Sequence, residues 1–258
     1  MEIDLDQAAR YGLPSYRWGS GQERRMALIK RWAPLDGTRV LDVGCGLGLY
    51  LHRIQSAGAT AVGVDLNQEH LREADLAHSA RADAQVLPFS EGAFDVVILN
   101  EILEHVKDDG LAVAEAIRVM REGGRLLIFA PNRLYPFETH GVWWRGRYRF
   151  GNYFLVGYLP NAIRQRLAPH VRAYTRYGLR KLFDALPSRI LVHERIFAGY
   201  DRIALRRPGL ARLLRSLSYP LERTPLQIFG LSHFLVAEKQ ALPPQPESSS
   251  IPPGPSAA

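Results

Sequence analysis

An α/β fold with a doubly wound, mostly parallel sheet is predicted for this chain of 258 residues by two features of its first half. Between residues 38 and 131, short runs of Val, Ile and Leu alternate with amphipathic segments of helical period. Such apolar runs are typical of strands buried on both faces, and their alternation with helices indicates a parallel sheet covered on both sides. A glycine-rich turn follows the first apolar run, at the edge where such sheets bind ligands.

The individual elements follow from the spacing of apolar residues and from the residues that end each run. Apolar runs predict strands at 39–43, 60–65, 80–86, 94–100, 125–131, 189–197 and 232–239. Helical spacing predicts helices at 49–58, 67–78, 111–124, 175–186 and 209–217. Gly123 and Gly124 are expected to end the third helix, and Thr175 to cap the fourth. Residues 132–172 are aromatic and basic and offer too few turn signals to be divided into elements.

The composition is that of a globular protein, with 47% hydrophobic and 23% charged residues, which excludes wholesale disorder. No apolar run approaches the ~18 residues of a membrane-spanning helix, and the acidic N-terminus lacks the plan of a signal peptide. A cytoplasmic protein is therefore predicted. Cys45 is the only cysteine, which excludes an internal disulfide and a cysteine-built zinc site, and no metal site is predicted.

The net charge of +7 is unevenly distributed along the chain. Between Arg145 and Arg223 there are 17 Lys and Arg residues against 4 Asp and Glu residues. This block predicts a surface that attracts anions, such as phosphate, nucleic acid or acidic lipid headgroups; a plain solvated surface is the alternative. Residues 241–258 are rich in Pro and Ser and are predicted to be disordered.

The glycine-rich turn favours a cationic ligand over a pyrophosphate. Its glycines are Gly44, Gly46 and Gly48, whereas the dinucleotide fingerprint would need a small residue at position 49, which is Leu. Asp42 ends the preceding strand, and a carboxylate there is unfavourable beside a pyrophosphate but favourable beside an ammonium group. S-adenosylmethionine carries both an ammonium and a sulfonium group and therefore suits this turn.

Two further acidic residues end neighbouring strands. Asp65 lies 21 positions after Gly44, where a carboxylate can accept both ribose hydroxyls, and Asp83 follows the third strand, where it can receive the adenine amino group. Structural interpretations exist as well: Asp42 as a turn cap, Asp65 as a helix cap, and Asp83 bonded to its own loop. Taken together, the three acids and the glycines describe one ligand.

Four motifs resemble a known family: "VLDVGCGLG", "VGVDLN", "ADAQVLPFSEGAFDVVILNEILEHV" and "GGRLLIFAPN". In order and spacing they are similar to the class I S-adenosylmethionine-dependent methyltransferases, in particular the branch with the ubiquinone and menaquinone methyltransferases. The resemblance covers roughly residues 36–133. It implies a seven-stranded Rossmann-like sheet with an antiparallel last strand, and S-adenosylmethionine as cofactor.

Cys45 is expected to pack within the turn rather than act as a nucleophile. The implied cofactor-binding residues are Asp42, Gly44, Cys45, Gly46 and Gly48 in the turn, Asp65 with Leu66 at the ribose, Asp83 with Ala84 at the adenine, and Asn100 beside the methyl group.

The acceptor side of the predicted site contains two groups of acid–base residues. A base is needed only if the acceptor is a hydroxyl or an acidic carbon. Glu101, Glu104 and His105 follow the fourth strand, and Glu138 and His140 follow the fifth. Certain bacterial methyltransferases have a similar Pro-Asn-Arg…Glu-x-His stretch, so the resemblance favours a role for the second group. His140, His105 and Glu138 are the predicted catalytic residues, with the ordering of their loops as the alternative.

One methyltransferase domain is predicted over residues 1–240, with its cofactor half at about 36–133. An aromatic and basic lid at about 132–172 and 198–228 would cover the acceptor, and Tyr11, Tyr16 and Arg17 would cover the cofactor. The stretch "VWWRGRYRFGNYF" can clamp bases, line an apolar pocket or lie in a membrane interface. The helix "GLARLLRSL" suits an anionic lipid surface. An ordinary lid packed on the sheet would explain both segments equally.

The leading hypothesis is a methyltransferase with a small-molecule or lipid-linked acceptor, such as a quinone precursor or an isoprenoid or glycan intermediate, and with peripheral contact to the inner membrane face. A nucleic-acid methyltransferase that uses the arginine block is the first alternative. It lacks the Asp/Asn-Pro-Pro-aromatic signature, because the fourth strand leads into Leu99-Asn100-Glu101-Ile102. A non-catalytic cofactor-binding module and, more remotely, an NAD-dependent oxidoreductase are the others.

Overall fold

The computed structural model describes residues 18–74 and 78–241. Tyr11, Tyr16, Arg17 and all but the first residue of the predicted disordered tail lie outside these ranges. The strands are β1 (Arg39–Val43), β2 (Thr60–Asp65), β3 (Ser79–Arg81), β4 (Phe94–Asn100), β5 (Met120–Pro131), β6 (Phe137–Glu138), β7 (Val142–Trp144), β8 (Arg147–Arg149), β9 (Tyr153–Phe154), β10 (Ser188–Ile196) and β11 (Ser232–Lys239). The α-helices are α1 (Ser20–Trp32), α2 (Leu49–Gln55), α3 (Gln68–Ala74), α4 (Asp109–Val119), α5 (Asn161–Leu167), α6 (Arg176–Lys181), α7 (Asp201–Arg206) and α8 (Pro208–Ser218).

Seven of the strands form one sheet in the order β10-β11-β5-β4-β1-β2-β3. All pairings among the first five strands are parallel, and β11 is antiparallel to both β5 and β10. The predicted seven-stranded sheet with an antiparallel last strand is therefore confirmed. The strand order reverses at the β1–β4 pair, and the crevice at such a reversal is where open α/β sheets bind ligands.

The side chains of the central strands alternate between two apolar layers, as expected for a sheet buried on both faces. In β4, Val96 and Ile98 face the layer that contains α1 and α2, whereas Val97 and Leu99 face the layer that contains α4 and α6. All four side chains are at most 1% exposed. The helices thus cover both faces, and the loops after β1 and β4 are fixed by buried strands.

Several predicted element boundaries are wrong. The helices predicted at 49–58 and 175–186 already end at Gln55 and Lys181. The helix predicted at 111–124 spans Asp109–Val119, and Met120 already pairs with Phe94 in the sheet. Gly123 and Gly124 lie inside β5, where the β4–β5 register shifts, and Gly123 has a φ of +71°. Val119 and Met120 are both fully buried, so the apolar pattern continues across the junction. The third strand, predicted at 80–86, is only Ser79–Arg81. The predicted cap of α6 is confirmed, since the Thr175 hydroxyl accepts a hydrogen bond from the Gly178 amide.

The segment 132–172, which could not be divided from the sequence, forms two small antiparallel pairs, β6–β9 and β7–β8, followed by α5. It returns to the sheet through an isolated bridge between Asn132 and Tyr174. Over the described ranges, no helix is both long and apolar enough to cross a membrane.

Candidate active site

The turn after β1 brings backbone close to the edge of the sheet. Gly44, Gly46 and Gly48 have φ values of +75°, +52° and +71°, a region that other residues adopt only at a cost. A Cβ on Gly44 would lie 2.6 Å from Cδ1 of Ile102, so the site has no room for a side chain there. The amides of Gly44 and Cys45 both donate to the carbonyl of Val64, at 2.7 and 3.0 Å, which anchors the turn to β2.

Asp42 is a buried carboxylate without a compensating partner. It is 3% exposed, and within the described part of the chain its side chain makes no hydrogen bond or ion pair. Burial, and then the nearby carboxylate of Asp65, raise the pKa of Asp42 to about 7. The Tyr50 hydroxyl, which interacts electrostatically with Asp42, is also buried without a hydrogen-bond partner, and burial raises its pKa to about 12. Unsatisfied buried polar groups are rare, and here they mark a position that suits a cationic, hydrogen-bonding ligand.

Asp65 links the end of β2 to the glycine turn. Its Oδ2 accepts a hydrogen bond from the Gly46 amide at 2.9 Å, and its Oδ1 accepts one from the Asn67 amide at 2.8 Å. The adjacent Leu66 is 55% exposed and offers a bare apolar side chain beside the carboxylate. Each carboxylate oxygen retains acceptor capacity, so Asp65 can orient the turn and still accept hydroxyl donors.

Asp83 and Ala84 lie in the loop after β3. Oδ1 of Asp83 accepts a hydrogen bond from the Gln85 amide at 2.9 Å and from the Gln85 side chain at 3.0 Å, as in an Asx turn. Ala84 is 5% exposed and belongs to the core. The structural interpretation of Asp83 thus has direct support.

Cys45 is buried within the turn, and burial together with the carboxylates of Asp42 and Asp65 raises the pKa of its thiol. A Cβ on Gly63 would lie 2.7 Å from the Cys45 sulfur, so the thiol packs closely against β2. A neutral, packed thiol is not a nucleophile.

Beyond β4, an arginine from α1 organises the rim of the site. The Arg25 guanidinium donates to Oδ1 of Asn100 at 2.8 Å, to Oε1 of Glu101 at 2.5 Å and to the hydroxyl of Ser232 at 2.8 Å. Burial opposes ionisation of Glu101, but Arg25 lowers its pKa to about 2. Glu101 has a φ of +55°, and strained conformations of this kind cluster at functional sites.

Glu104 and His105 follow at the same rim. Glu104 is 2% exposed, and neither of its carboxylate oxygens has a hydrogen-bond partner. Burial and the carboxylate of Glu101 raise the pKa of Glu104 well above its usual range. The His105 ring is half exposed, and its Nε2 lies 3.9 Å from Oε1 of Glu104.

His140 is held by Glu138 in the loop after β5. Nδ1 of His140 lies 3.0 Å from Oε1 of Glu138, and Arg164 donates to Oε2 of the same carboxylate at 2.9 Å. Glu138 is 6% exposed; its burial opposes ionisation, but the hydrogen bond to His140 and the charge of Arg164 keep its pKa below the usual range. Nε2 is therefore the ring nitrogen of His140 that Glu138 leaves without a hydrogen bond.

The structure brings the two predicted histidines together. The rings of His105 and His140 lie 5.8 Å apart and meet edge to face. Glu104, His105 and His140 each offer a ligand atom within 4.8 Å of the others, so these three side chains could also hold a divalent cation.

Comparison with known proteins shows which family the chain resembles. A family model described as a methyltransferase domain matches residues 41–128, which contain the glycine turn and the acidic strand ends. Ubiquinone biosynthesis O-methyltransferase of Methylococcus capsulatus is 33% identical over 150 residues, which cover 51% of this chain and 63% of that protein. Over this stretch the chain is similar to S-adenosylmethionine-dependent methyltransferases. These matches bear out the predicted resemblance to this family and the prediction of S-adenosylmethionine as cofactor.

Other similarities extend further along the chain. Demethylmenaquinone methyltransferase of Beutenbergia cavernae is 29% identical over 230 residues, or 85% of this chain and 90% of that protein. The crystal structure of an S-adenosylmethionine dependent methyltransferase from Mesorhizobium loti superimposes with a TM-score of 0.58 at 20% identity, over 83% of this chain and 96% of the other, which shows the fold. The chain spans less than two thirds of the ubiquinone-pathway relatives that it matches first, for example 63% of the Methylococcus protein.

Sequence reasoning missed three residues of the candidate site: Arg25, Tyr50 and Arg164. Arg25 lies 75 positions from Asn100, and its only signal is its place one helical turn before the buried Ile29. Arg164 stands among many arginines of the basic block, and nothing in its immediate sequence distinguishes it from those that face solvent.

Proposed function

We propose that the protein transfers the methyl group of S-adenosylmethionine to a hydroxyl oxygen of a small-molecule or lipid-linked acceptor of the quinone-precursor class. The observation that carries the choice of a hydroxyl is the Glu138–His140 pair, whose atoms lie 3.0 Å apart at the acceptor side. A neutral amine or a preformed carbanion would need no such base.

The cofactor contacts proposed here rest on the groups left without partners. The unpaired carboxylate of Asp42 and the free hydroxyl of Tyr50 suit the ammonium end of the cofactor. Asp65 and Leu66 suit the ribose, and the loop at Asp83 suits the adenine. Gly44, Gly46 and Gly48, with Cys45 between them, leave space for the methionine chain, and Asn100 stands beside the methyl group. When bound, the cofactor supplies an electrophilic methyl group on a sulfonium and leaves as a neutral thioether.

The acceptor side contains a base for the proton that the acceptor hydroxyl must lose. Nε2 of His140 would take the hydroxyl proton as the new oxygen–carbon bond forms, and Glu138 would stabilise the resulting imidazolium through Nδ1. Arg164 keeps Glu138 in place from the other side. His105 lines the same rim and would help to orient the acceptor.

A cavity in the lid segment supports the proposal that the acceptor has an apolar part. A cavity of about 310 Å³ lies between the hairpins and α5 and is lined almost entirely by apolar surface. The lining residues are Val142, Trp144, Arg149, Tyr153, Val156 and Leu167. Val142, which lines this cavity, is two residues from His140 along the chain. The named relatives, which act in ubiquinone biosynthesis and on demethylmenaquinone, support the quinone-precursor class.

The arginine block gives the nucleic-acid alternative little support. Several of its members are used inside the protein. Arg164 pairs with Glu138, Arg172 donates to the carbonyls of Val106 and Lys107, and Arg215 donates to the carbonyl of Gly199 at 2.7 Å. A salt-sensitive gel shift with RNA or DNA would revive that alternative.

The proposal is tested by incubating the purified protein with cofactor labelled in the methyl group and with catechol-type acceptors that carry a free or a capped hydroxyl. We expect label only in the free hydroxyl compounds, with faster transfer when the ring carries an apolar chain. His140→Gln should lower kcat by about 10²-fold or more and leave the Kd for S-adenosylhomocysteine unchanged. Its kcat should recover in part as pH rises, because solvent base replaces the imidazole.

The matched control is His52→Gln, which changes an exposed histidine of α2. It should leave kcat and Kd as in the unmodified protein. Full activity of His140→Gln on a hydroxyl acceptor would refute the proposed base, and failure to bind S-adenosylhomocysteine at all would refute the proposed transfer.

A further inference from the structure

Helix α8 presents its leucine stripe to solvent. Its buried residues are Ala211 and Ser218, whereas Leu210, Leu213 and Leu217 are 39%, 53% and 61% exposed. An amphipathic helix normally turns its apolar stripe toward the core. Here the small residues face the protein, and the leucines have no covering among the described residues.

The neighbouring helix α7 extends this apolar surface. Leu205 of α7 is 70% exposed, and α7 packs directly against α8. We call Leu205, Leu210, Leu213 and Leu217 the leucine face. Contiguous exposed apolar surface of this kind is unusual on a soluble domain and marks a site of interaction with another molecule or a membrane.

Only positive charge borders the leucine face. Residues 201–229 contain six arginines and two acids, Asp201 and Glu222. Both acids point inward: Asp201 accepts from the amides of Ser20 and Gly21, at 2.7 and 2.9 Å, and Glu222 accepts from the amide of Phe197 and pairs with Arg24. The exposed arginines of this stretch are Arg202, Arg206, Arg207, Arg212 and Arg223.

We propose that the leucine face and its arginines dock the protein on the surface of an anionic lipid bilayer. Short helices with leucines at helical spacing and flanking arginines lie in the interface, with leucines among the acyl chains and guanidinium groups at the phosphates. A second copy of the chain is a poorer occupant, because two such faces would bring their arginines together. This docking goes beyond the proposed methyl transfer and does not depend on it.

The docked face adjoins the lid. The Arg202 guanidinium of α7 lies 4.9 Å from the ring centroid of Phe150, which follows the cavity-lining Arg149 in the chain. α7, which carries Leu205, therefore contacts the lid segment through this pair.

The test is co-sedimentation of the full chain with vesicles of phosphatidylcholine alone or mixed with phosphatidylglycerol. We expect binding only to the anionic vesicles, and weaker binding at high salt. Arg206→Glu/Arg207→Glu should weaken binding by more than about 25-fold, because each arginine near a charged surface contributes about fivefold. Leu213→Ser/Leu217→Ser should abolish the binding that remains at high salt.

Matched controls change the same residue types elsewhere: Leu111→Ser, at a leucine that is 46% exposed in α4, and Lys30→Glu/Arg31→Glu at the exposed end of α1. These should bind vesicles as the unmodified protein does. Binding of S-adenosylhomocysteine, measured for every variant, reports an intact fold and tests the proposed function separately. Equal binding by all variants, or no binding to anionic vesicles, would overturn the docking. So would a dimer in sedimentation velocity that Leu213→Ser/Leu217→Ser dissociates, since a second copy would then cover the face.

Discussion

Replacing Asp42 by asparagine should stabilise the cofactor-free protein and at the same time weaken cofactor binding. The carboxylate is 3% exposed and has no partner among the described residues, so its negative charge costs free energy until a cation arrives. Asparagine keeps the shape of the side chain and removes the charge. Opposite effects on stability and binding are expected where a site has been shaped for its ligand rather than for the fold.

The magnitude follows from the pKa of Asp42, which is raised from 3.8 to about 7 in the folded protein. A raised pKa means that the protonated form stabilises the fold. This contribution is complete below pH 4, declines as pH rises, and is lost above about pH 7. Three pKa units correspond to about 4 kcal/mol, and relaxation of the site reduces this. At pH 8 we expect Asp42→Asn to raise the free energy of unfolding by about 1–4 kcal/mol, or Tm by several degrees.

Cofactor binding should respond in the opposite direction. Removing one member of a buried charge pair costs about 2–5 kcal/mol, so the Kd of S-adenosylhomocysteine should rise at least about 30-fold in Asp42→Asn. In the unmodified protein the ammonium group selects the ionised carboxylate. Its Kd should therefore rise about tenfold for each pH unit below 7, and the variant should lose most of this dependence.

Two measurements decide the matter: thermal unfolding of the cofactor-free proteins at pH 5 and pH 8, and titration calorimetry with S-adenosylhomocysteine over the same range. At pH 5 the two proteins should differ in stability by less than about half as much as at pH 8, because Asp42 is then protonated in the folded protein and only its ionisation in the unfolded chain still contributes. A lower Tm for the variant at pH 8 would show that the carboxylate has a structural partner. A Kd that is unchanged by the substitution would remove Asp42 from the cofactor site.

Three further substitutions test the rest of the site. Arg25→Ala should lower the free energy of unfolding by about 2–4 kcal/mol near neutral pH, because the Glu101 carboxylate loses its counter-ion. This loss should shrink as pH falls toward 2, where the carboxyl of Glu101 is protonated. Denaturant unfolding at several pH values measures the loss. Gly44→Ala should lower the free energy of unfolding by about 1–3 kcal/mol and weaken cofactor binding. Gly209→Ala is the control: a Cβ at Gly209 would have no atom within 4 Å, so this substitution should not destabilise the protein. Cys45→Ala should leave kcat within about twofold, because the thiol packs without reacting; a complete loss of activity with intact cofactor binding would contradict this.

The sheet was predictable because each buried strand carries its own signal. The run Phe94–Asn100 is continuous and apolar, and the predicted bounds agree with β4 to the residue. The strand at Ser79–Arg81 is short and mostly exposed, so its sequence carried too little apolar pattern to fix its end. The end of α4 was predicted too late for another reason. Two buried residues, Val119 and Met120, continue the helical pattern of apolar residues, although the backbone at Met120 already pairs with β4.

The cofactor side of the candidate site could be proposed from the sequence because its residues come from consecutive strand ends, and strand ends of one parallel sheet meet at one edge. The acceptor side depends on contacts across long sequence distances. Arg164 reaches Glu138 from 26 positions away, and Arg25 reaches Glu101 from 76 positions away. No local pattern distinguishes these arginines from the exposed ones, because the distinction arises only when the lid segment and α1 pack against the sheet.

The two carboxyl groups at the rim, those of Glu101 and Glu104, have pKa values shifted in opposite directions, which suggests different roles for them. Arg25 lowers the pKa of Glu101 to about 2, whereas burial and the Glu101 charge raise the pKa of the neighbouring Glu104 well above its usual range. Groups whose pKa values are pushed apart in this way commonly take different roles in one reaction. In the proposed transfer, a protonated Glu104 would offer a hydrogen-bond donor at the rim, near the proposed base His140. Glu104→Gln would preserve that donor and retain much of the kcat, whereas Glu104→Leu would lose it. Equal kcat values for the two variants would show that Glu104 serves the fold instead.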